Sequence, residues 1–263
     1  MDTPLVSIIM GVHNNETTIK RCIDSIINQT YENWELIICD DCSSDGTYDV
    51  LKDYEKKDDR IVLIKNKKNC KLAKSLNNCL AIAKGTYVAR MDADDECLSD
   101  RIERQVDFLQ ENPDFAVVGG AAKIFDGEKI ISVRKMKARP DKGDVIYGPV
   151  FMHPTIMMRK KAYDKLKGYT VLPRTDRGQD WDLWFRFFKA GFKGYNLQEP
   201  VLIYHESKND FKKRTMKTAK MYTATALYGY KLLKVPFYKY VFAFKPIISV
   251  LVPYKILNKL HNK

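Results

Sequence analysis

Four short apolar runs, residues 6–12, 34–40, 61–65 and 87–91, are separated by amphipathic segments, and this alternation constrains the fold more than any other feature of the chain. The first run, VSIIMGV, is too short and too apolar for anything but a strand buried on both faces. Behind it Ile19, Cys22, Ile23, Ile26 and Ile27 recur at three and four residues, the spacing of one helical face, with Asn14 or Asn15 as a cap and Glu16 in the first turn. Further helices are predicted over 47–56 and 72–84. Strands alternating with helices in this way predict an α/β fold with a parallel, doubly wound sheet.

Beyond the acidic residues 92–96 a helix is predicted over 100–110, stopped by Asn112-Pro113. The second half is richer in strands: 116–125 and 129–134 read as a hairpin about Asp126-Gly127, followed by strands over 153–159 and 201–204 and a helix over 180–190. This gives a domain over 1–207, with halves of about 1–110 and 111–207, and a helical tail over 208–263.

Charge is unevenly distributed between the two. Of 45 basic and 33 acidic residues, 13 basic and one acidic lie in 208–263, so the domain is formally neutral and the tail carries the whole excess of +12. A nucleic-acid binder would not confine its charge in this way, and no nucleic acid is expected as a partner. Cys22, Cys39 and Cys79 fall in apolar stretches and read as small buried hydrophobes, in a reduced, cytoplasmic protein. Met1-Asp2-Thr3-Pro4 runs into a strand pattern with no basic leader, so secretion is not expected.

The residues able to carry chemistry are acidic and stand at strand ends. Asp92, Asp94 and Asp95 follow the run 87–91 directly, and Asp40-Asp41 close the run 34–40 before Ser43, Ser44, Asp45 and Gly46. Ligands of open α/β sheets collect at the carboxyl ends of strands, and carboxylates packed so closely repel unless a cation lies among them. Each cluster also has a plainer reading, as a solvated turn that caps the next helix. The same holds for Asp180 and Asp182 at the start of an otherwise apolar helix.

VSIIMGVHN at 6–14, DDCSSDGT at 40–47, NCKLAKSLN at 69–77, ARMDADD at 89–95, His153-Pro154-Thr155, Gly168-Tyr169 and QDWDLW at 179–184 follow one another in an order that resembles the family-2 glycosyltransferases of the A-type fold, over about residues 5–205. The resemblance implies an inverting transfer from a UDP-sugar, assisted by Mn²⁺ or Mg²⁺, to a glycan or lipid-linked acceptor. Asp41 then resembles the uracil contact, with the chain at Val12, His13 and Asn14 lining the nucleotide pocket. Asp92 and Asp94 match the D-x-D pair, Asp94 as metal ligand and Asp92 toward ribose or sugar, with Asp95 in reserve. Asp180 matches the catalytic base. His205 is a weaker metal or phosphate candidate, and His153, Trp181 and Asp182 are weak candidates for acceptor or phosphate contact.

Three positions depart from the family pattern around the nucleotide: Gly11 where proline is frequent, and Cys42 and Lys71 where glycine is usual. Gln179 replaces an acid beside Asp180. A nucleotidyltransferase would also use strand-end carboxylates, but no Gly-rich phosphate loop is present near the N-terminus; a noncatalytic nucleotide-sugar or membrane-binding module would lack the base. In the tail a helix is predicted over 211–234, and the longest lysine-free apolar stretch, 246–254, is well short of the about 20 residues that span a bilayer. Lysines interleaved with Tyr and Phe predict a segment lying on an anionic membrane, which would hold the enzyme peripherally on the inner face of the cell membrane. A helical hairpin packed on the domain, or on a second copy in a homodimer, is the alternative.

Overall fold

The computed structural model describes residues 3–206 and 215–251. In chain order these form β1 (Val6–Val12), α1 (Ile19–Ile27), β2 (Trp34–Asp40), α2 (Thr47–Glu55), β3 (Ile61–Lys65), α3 (Leu72–Ile82), β4 (Tyr87–Arg90), β5 (Glu96–Cys97), α4 (Arg101–Glu111), β6 (Phe115–Phe125), β7 (Ile130–Arg134), β8 (Met157–Arg159), α5 (Lys160–Leu166), α6 (Gln179–Lys189), β9 (Lys193–His205), α7 (Met216–Leu233) and α8 (Lys245–Leu251). One sheet runs through the domain in the order β3-β2-β1-β4-β8-β6-β9-β5, with β7 paired to β6. β1 to β4 are mutually parallel, as the alternation predicts, and β8 joins β4 and β6 antiparallel to both.

The parallel strands are buried on both faces because their side chains alternate between two cores. Ile9, Ile37, Cys39 and Val88 face α3, α5, α6 and α7, whereas Ile8, Met10, Leu36, Ile38 and Ala89 face α1, α2 and α4. Since β2 and β4 lie on either side of β1, the chain reverses direction there, and the loops after β1, β2 and β4 meet above one crevice.

Several details differ from the sequence reading. Residues 153–155 form a 3-10 turn rather than a strand, and β8 starts only at Met157. α1 starts at Ile19, because Asn15 uses its carbonyl to accept from Thr18 and Ile19, and Glu16 instead reaches Gly46 N–H ahead of α2 at 3.0 Å. Cys39 and Cys42 stand at C-x-x-C spacing, which the apolar reading passes over. Cys39 is buried against Cys79 and Ser75, and these hydrogen bonds hold its thiol below the usual range against the opposing effect of burial.

The tail is not an appendage. The start of its predicted helix lies outside the described residues, but α7 packs along α6, burying Ala226 and Tyr230 in the same core as Trp181 and Phe185. Tyr230 donates to the Ile146 carbonyl at 2.5 Å, and Thr225 to the Arg174 carbonyl at 2.9 Å. The packed alternative therefore holds for α7, and the boundary at 207/208 does not separate two cores. No helix among the described residues is long and apolar enough to cross a membrane.

Candidate active site

The crevice is built from three strand ends. After β1, Asn14 is left-handed (φ 56°); its N–H donates to Ser43 Oγ at 3.0 Å and its side-chain carbonyl accepts from Ser44 N–H at 2.9 Å, tying the first loop to the second. His13 is exposed at the rim, and the Val12 carbonyl accepts from Asp41 N–H at 2.7 Å. Asp45 accepts from Thr47 N–H at 3.1 Å, so the capping reading holds for that residue.

Asp41 is buried and accepts three hydrogen bonds, which leaves one acceptor site on its second oxygen. One carboxylate oxygen accepts from Asn66 Nδ2 and Cys70 N–H, both at 2.7 Å, and the other from Lys71 N–H at 2.8 Å. Cys42 (φ 61°) and Lys71 (φ 72°, ψ 162°) keep left-handed backbones although neither is glycine. The loop geometry is thus preserved at the cost of strain, of order 1–3 kcal/mol per residue, largest at Lys71, whose region of conformational space is nearly glycine-only. The three bonds to Asp41 are what hold Lys71 there.

After β4 the carboxylates of Asp92, Asp94 and Asp95 present oxygens all within 4.8 Å of one another. Asp95 is 1 % exposed; its Oδ1 accepts from His205 N–H at 3.0 Å, and its buried Oδ2 has no partner. Burial, then the charges of Asp92 and Asp94, push its carboxyl up to about 8. An orphaned buried oxygen within a self-repelling acidic cluster fits a hard divalent cation, which takes oxygen ligands and removes the repulsion.

His205 does not join this cluster. β5 pairs antiparallel with β9, setting Glu96 opposite Ile203, and His205 Nε2 lies 2.6 Å from Glu96 Oε1. Its backbone holds Asp95, while its ring serves a pair with Glu96, to which Arg21 also binds at 3.1 Å. The expected ligand role of the ring is corrected to a positioning one.

Asp180 lies half-buried in the first turn of α6, after Gly178, whose left-handed backbone (φ 87°) packs so tightly on Tyr222 that an added Cβ would come within 2.9 Å of the ring. The Asp180 carboxyl is raised above its ordinary value, first by burial and also by Asp92, with Trp181 N–H and Arg90 pulling it down. The Asp180 carboxyl is thus acted on by the charges of both members of the Arg90–Asp92 pair.

The other candidates near it are committed to the scaffold. Trp181 is buried and donates to the Val145 carbonyl at 2.6 Å, which removes it as a sugar platform. Asp182 is buried between Arg174 (2.6 Å), Arg186 (2.7 Å) and Thr170 (2.6 Å), so all its capacity goes into structure. His153 is buried, with Nε2 2.8 Å from Tyr169 Oη; burial and then Arg90 keep it well below its usual range and hence neutral. Asn77 clamps the next turn, donating to the Tyr169 carbonyl and accepting from Tyr169 N–H, both at 2.8 Å.

Sequence reasoning missed Arg90. It is 3 % exposed at the end of β4, ion-paired to Asp92, with Nε lacking a hydrogen-bond partner. The signal was available: a cation inside an apolar strand needs a partner, and Asp92 is two residues away on the same face. Arg101 and Gln105, by contrast, are scaffold. Arg101 donates to the Arg90 carbonyl at 2.8 Å and Gln105 to the Thr155 carbonyl at 2.7 Å, fixing the loop after β4 against the 3-10 turn.

Comparison with known proteins agrees with this geometry. The profile described as Glycosyl transferase family 2 matches residues 7–167. The chain is 44 % identical over 262 residues to the putative glycosyltransferase EpsE of Bacillus subtilis (strain 168), covering 99 % of this chain and 94 % of the relative. It is 33 % identical over 194 residues to the UDP-Glc:alpha-D-GlcNAc-diphosphoundecaprenol beta-1,3-glucosyltransferase WfaP of Escherichia coli, covering 73 % of each. Among solved structures, S. aureus TarS 1–349 in complex with UDP-GlcNAc superposes with a TM-score of 0.69 at 15 % identity, over 95 % of this chain and 82 % of that one, a likeness of fold alone.

Proposed function

Because the chain belongs to glycosyl transferase family 2 and is a glycosyltransferase of the A-type fold, we propose that it takes a hexose or N-acetylhexosamine from a UDP-sugar and passes it with inversion to a glycan or lipid-linked acceptor, in the synthesis of a surface polysaccharide or glycolipid. The observation that supports the reading is that the raised carboxyl of Asp180 responds to the charge of Asp92, a member of the Asp92, Asp94 and Asp95 cluster.

The crevice residues divide the work. Asp41 and the loop at Val12, His13 and Asn14 receive the uridine. Asp94 and Asp95 would hold Mn²⁺ or Mg²⁺ with Asp92 beside them, and the cation would supply positive charge to neutralise the leaving diphosphate. Asp180 accepts the proton of the acceptor hydroxyl as its oxygen bonds to the anomeric carbon and the bond to the diphosphate breaks, so UDP departs and no sugar–enzyme bond forms. Arg90 pairs with Asp92, and its charge opposes the rise that burial gives the Asp180 carboxyl. WfaP, whose name gives a UDP-glucose donor and a diphosphoundecaprenol-linked acceptor, supports both the donor class and a membrane-borne acceptor, and with them a place on the cytoplasmic face of the membrane.

The test is UDP release from UDP-glucose, UDP-galactose and their N-acetylated forms with Mn²⁺ or Mg²⁺. Turnover of none of them overturns the donor assignment, and release that survives Asp180→Asn overturns the base.

A further inference from the structure

The described part of the basic tail consists of two unlike pieces. α7 turns Ala219, Ala226 and Tyr230 into the core. The 3-10 stretch Phe237–Phe244 then packs only one side inward: Ala243 is fully buried, and Tyr240 meets Tyr230 at 5.4 Å between ring centroids. Tyr238, Val241 and Phe244, three residues apart, stand on the other side, and Ile248 and Leu251 of α8 continue the stripe at spacings of four and three. Tyr238 is 75 % exposed, Val241 60 %, Ile248 54 % and Leu251 69 %, with Phe237 beside them at 87 %. A contiguous apolar ridge of this kind marks an interaction surface.

Charge identifies the partner. Residues 216–251 hold six lysines, no arginine and no acid. Protein interfaces enrich arginine and deplete lysine, whereas segments lying in the headgroup layer combine lysine with large apolar and aromatic side chains. We propose that the ridge Tyr238–Val241–Phe244–Ile248–Leu251 is a docking surface for an anionic lipid bilayer, entering the headgroup layer while Lys234, Lys239 and Lys245 meet anionic lipids.

The ridge is anchored to the catalytic side of the domain. Phe242 packs on Tyr147 at 5.0 Å, and α7 links the ridge to the crevice: Tyr222 lies against Gly178 beside the base, and Tyr230, eight residues on, supports the ridge. At the helical rise of 1.5 Å per residue these are about 12 Å apart. The Gly178 turn that precedes the base thus packs at one end of this span and the support of the ridge at the other, an arrangement that suits an acceptor sugar carried on a lipid headgroup. This last point rests on the proposed lipid-linked acceptor; the docking surface does not.

The test is co-sedimentation of the full chain with phosphatidylcholine vesicles, with and without phosphatidylglycerol, comparing wild type with a Val241→Ser/Phe244→Ser/Ile248→Ser variant and a Lys239→Glu/Lys245→Glu variant. Val241, Phe244, Lys245 and Ile248 are exposed and Lys239 is half-buried, and an unchanged Tm verifies folding. Wild type should pellet with the anionic vesicles only, and each variant should lose about tenfold or more in partitioning. Wild type that stays in solution, variants that pellet equally, or a ridge that instead holds a dimer broken by the serine variant would overturn the proposal. UDP release with a water-soluble acceptor should be the same in all three proteins, so failure of the donor reading and failure of docking are separately visible.

Discussion

The Arg90 guanidinium closes on the Asp92 carboxylate at the carboxyl end of β4, and its charge also reaches Asp180 in the first turn of α6. In the proposed reaction a single buried cation therefore bears on both the side assigned to the leaving group and the side assigned to the proton.

Asp180 must be ionised to act as base. Burial raises its carboxyl and Arg90 lowers it, so Arg90→Met should move the acidic limb of the kcat/KM profile to higher pH. Asp180→Asn should cost about 10²- to 10⁴-fold in rate with Tm unchanged. UDP release followed across the neutral pH range, with thermal melts, checks both.

Without a cation, Asp95 retains in the folded chain a proton that an unfolded carboxyl loses near about 4. Its folded value of about 8 means that stability falls as pH rises from about 4 to about 8 and is flat above. Asp95→Asn should flatten this slope. Mn²⁺ should stabilise the wild type by about 2.7 kcal/mol at a hundred times Kd, and increasingly so toward higher pH. Scanning fluorimetry with and without metal measures it; an equal response in wild type and Asp94→Ala would contradict the cation site.

Lys71 and Cys42 hold backbone conformations suited to glycine. Lys71→Gly relieves about 1–3 kcal/mol of strain and concedes part of it to the freer unfolded chain, so a net gain of about 1 kcal/mol is expected in urea unfolding. Because Lys71 N–H binds Asp41, UDP affinity by calorimetry should change in the same variant.

Asp182→Ala strands Arg174 and Arg186 and should cost about 3–5 kcal/mol. Burial raises its carboxyl, but Thr170, Arg186 and Arg174 hold it below the usual range, so this contribution is present above about pH 4 and lost as pH falls through the folded value. Denaturant midpoints at neutral and acid pH test this, and kcat/KM of the folded fraction should stay near wild type.

The parallel half of the fold was legible because each of its strands is a compact apolar run, and residues 40–47 and 92–95 fell at strand ends for the same reason. β9 was largely invisible: its thirteen residues are partly polar and carry Pro200, and it persists by pairing with β6 across three register shifts. β5, two residues long, exists only through β9, which is why the pairing of His205 with Glu96 could not be read locally. The tail misled because α7 hides small residues, Ala219, Ala226 and Gly229, the last directly against Phe185, and such burial depends on close helix approach rather than on apolar bulk. Arg90 was overlooked because a charged residue in a strand draws notice only when its partner is sought.

The reciprocal clamp between Asn77 and Tyr169 joins the donor-side helix α3 to the turn that leads toward Asp180, while the β4–β8 ladder joins the same two halves through the sheet. Two separate stitches deny the halves a hinge. Catalytic geometry is then set when the chain folds, and adjustment to each incoming sugar is left to the crevice rim.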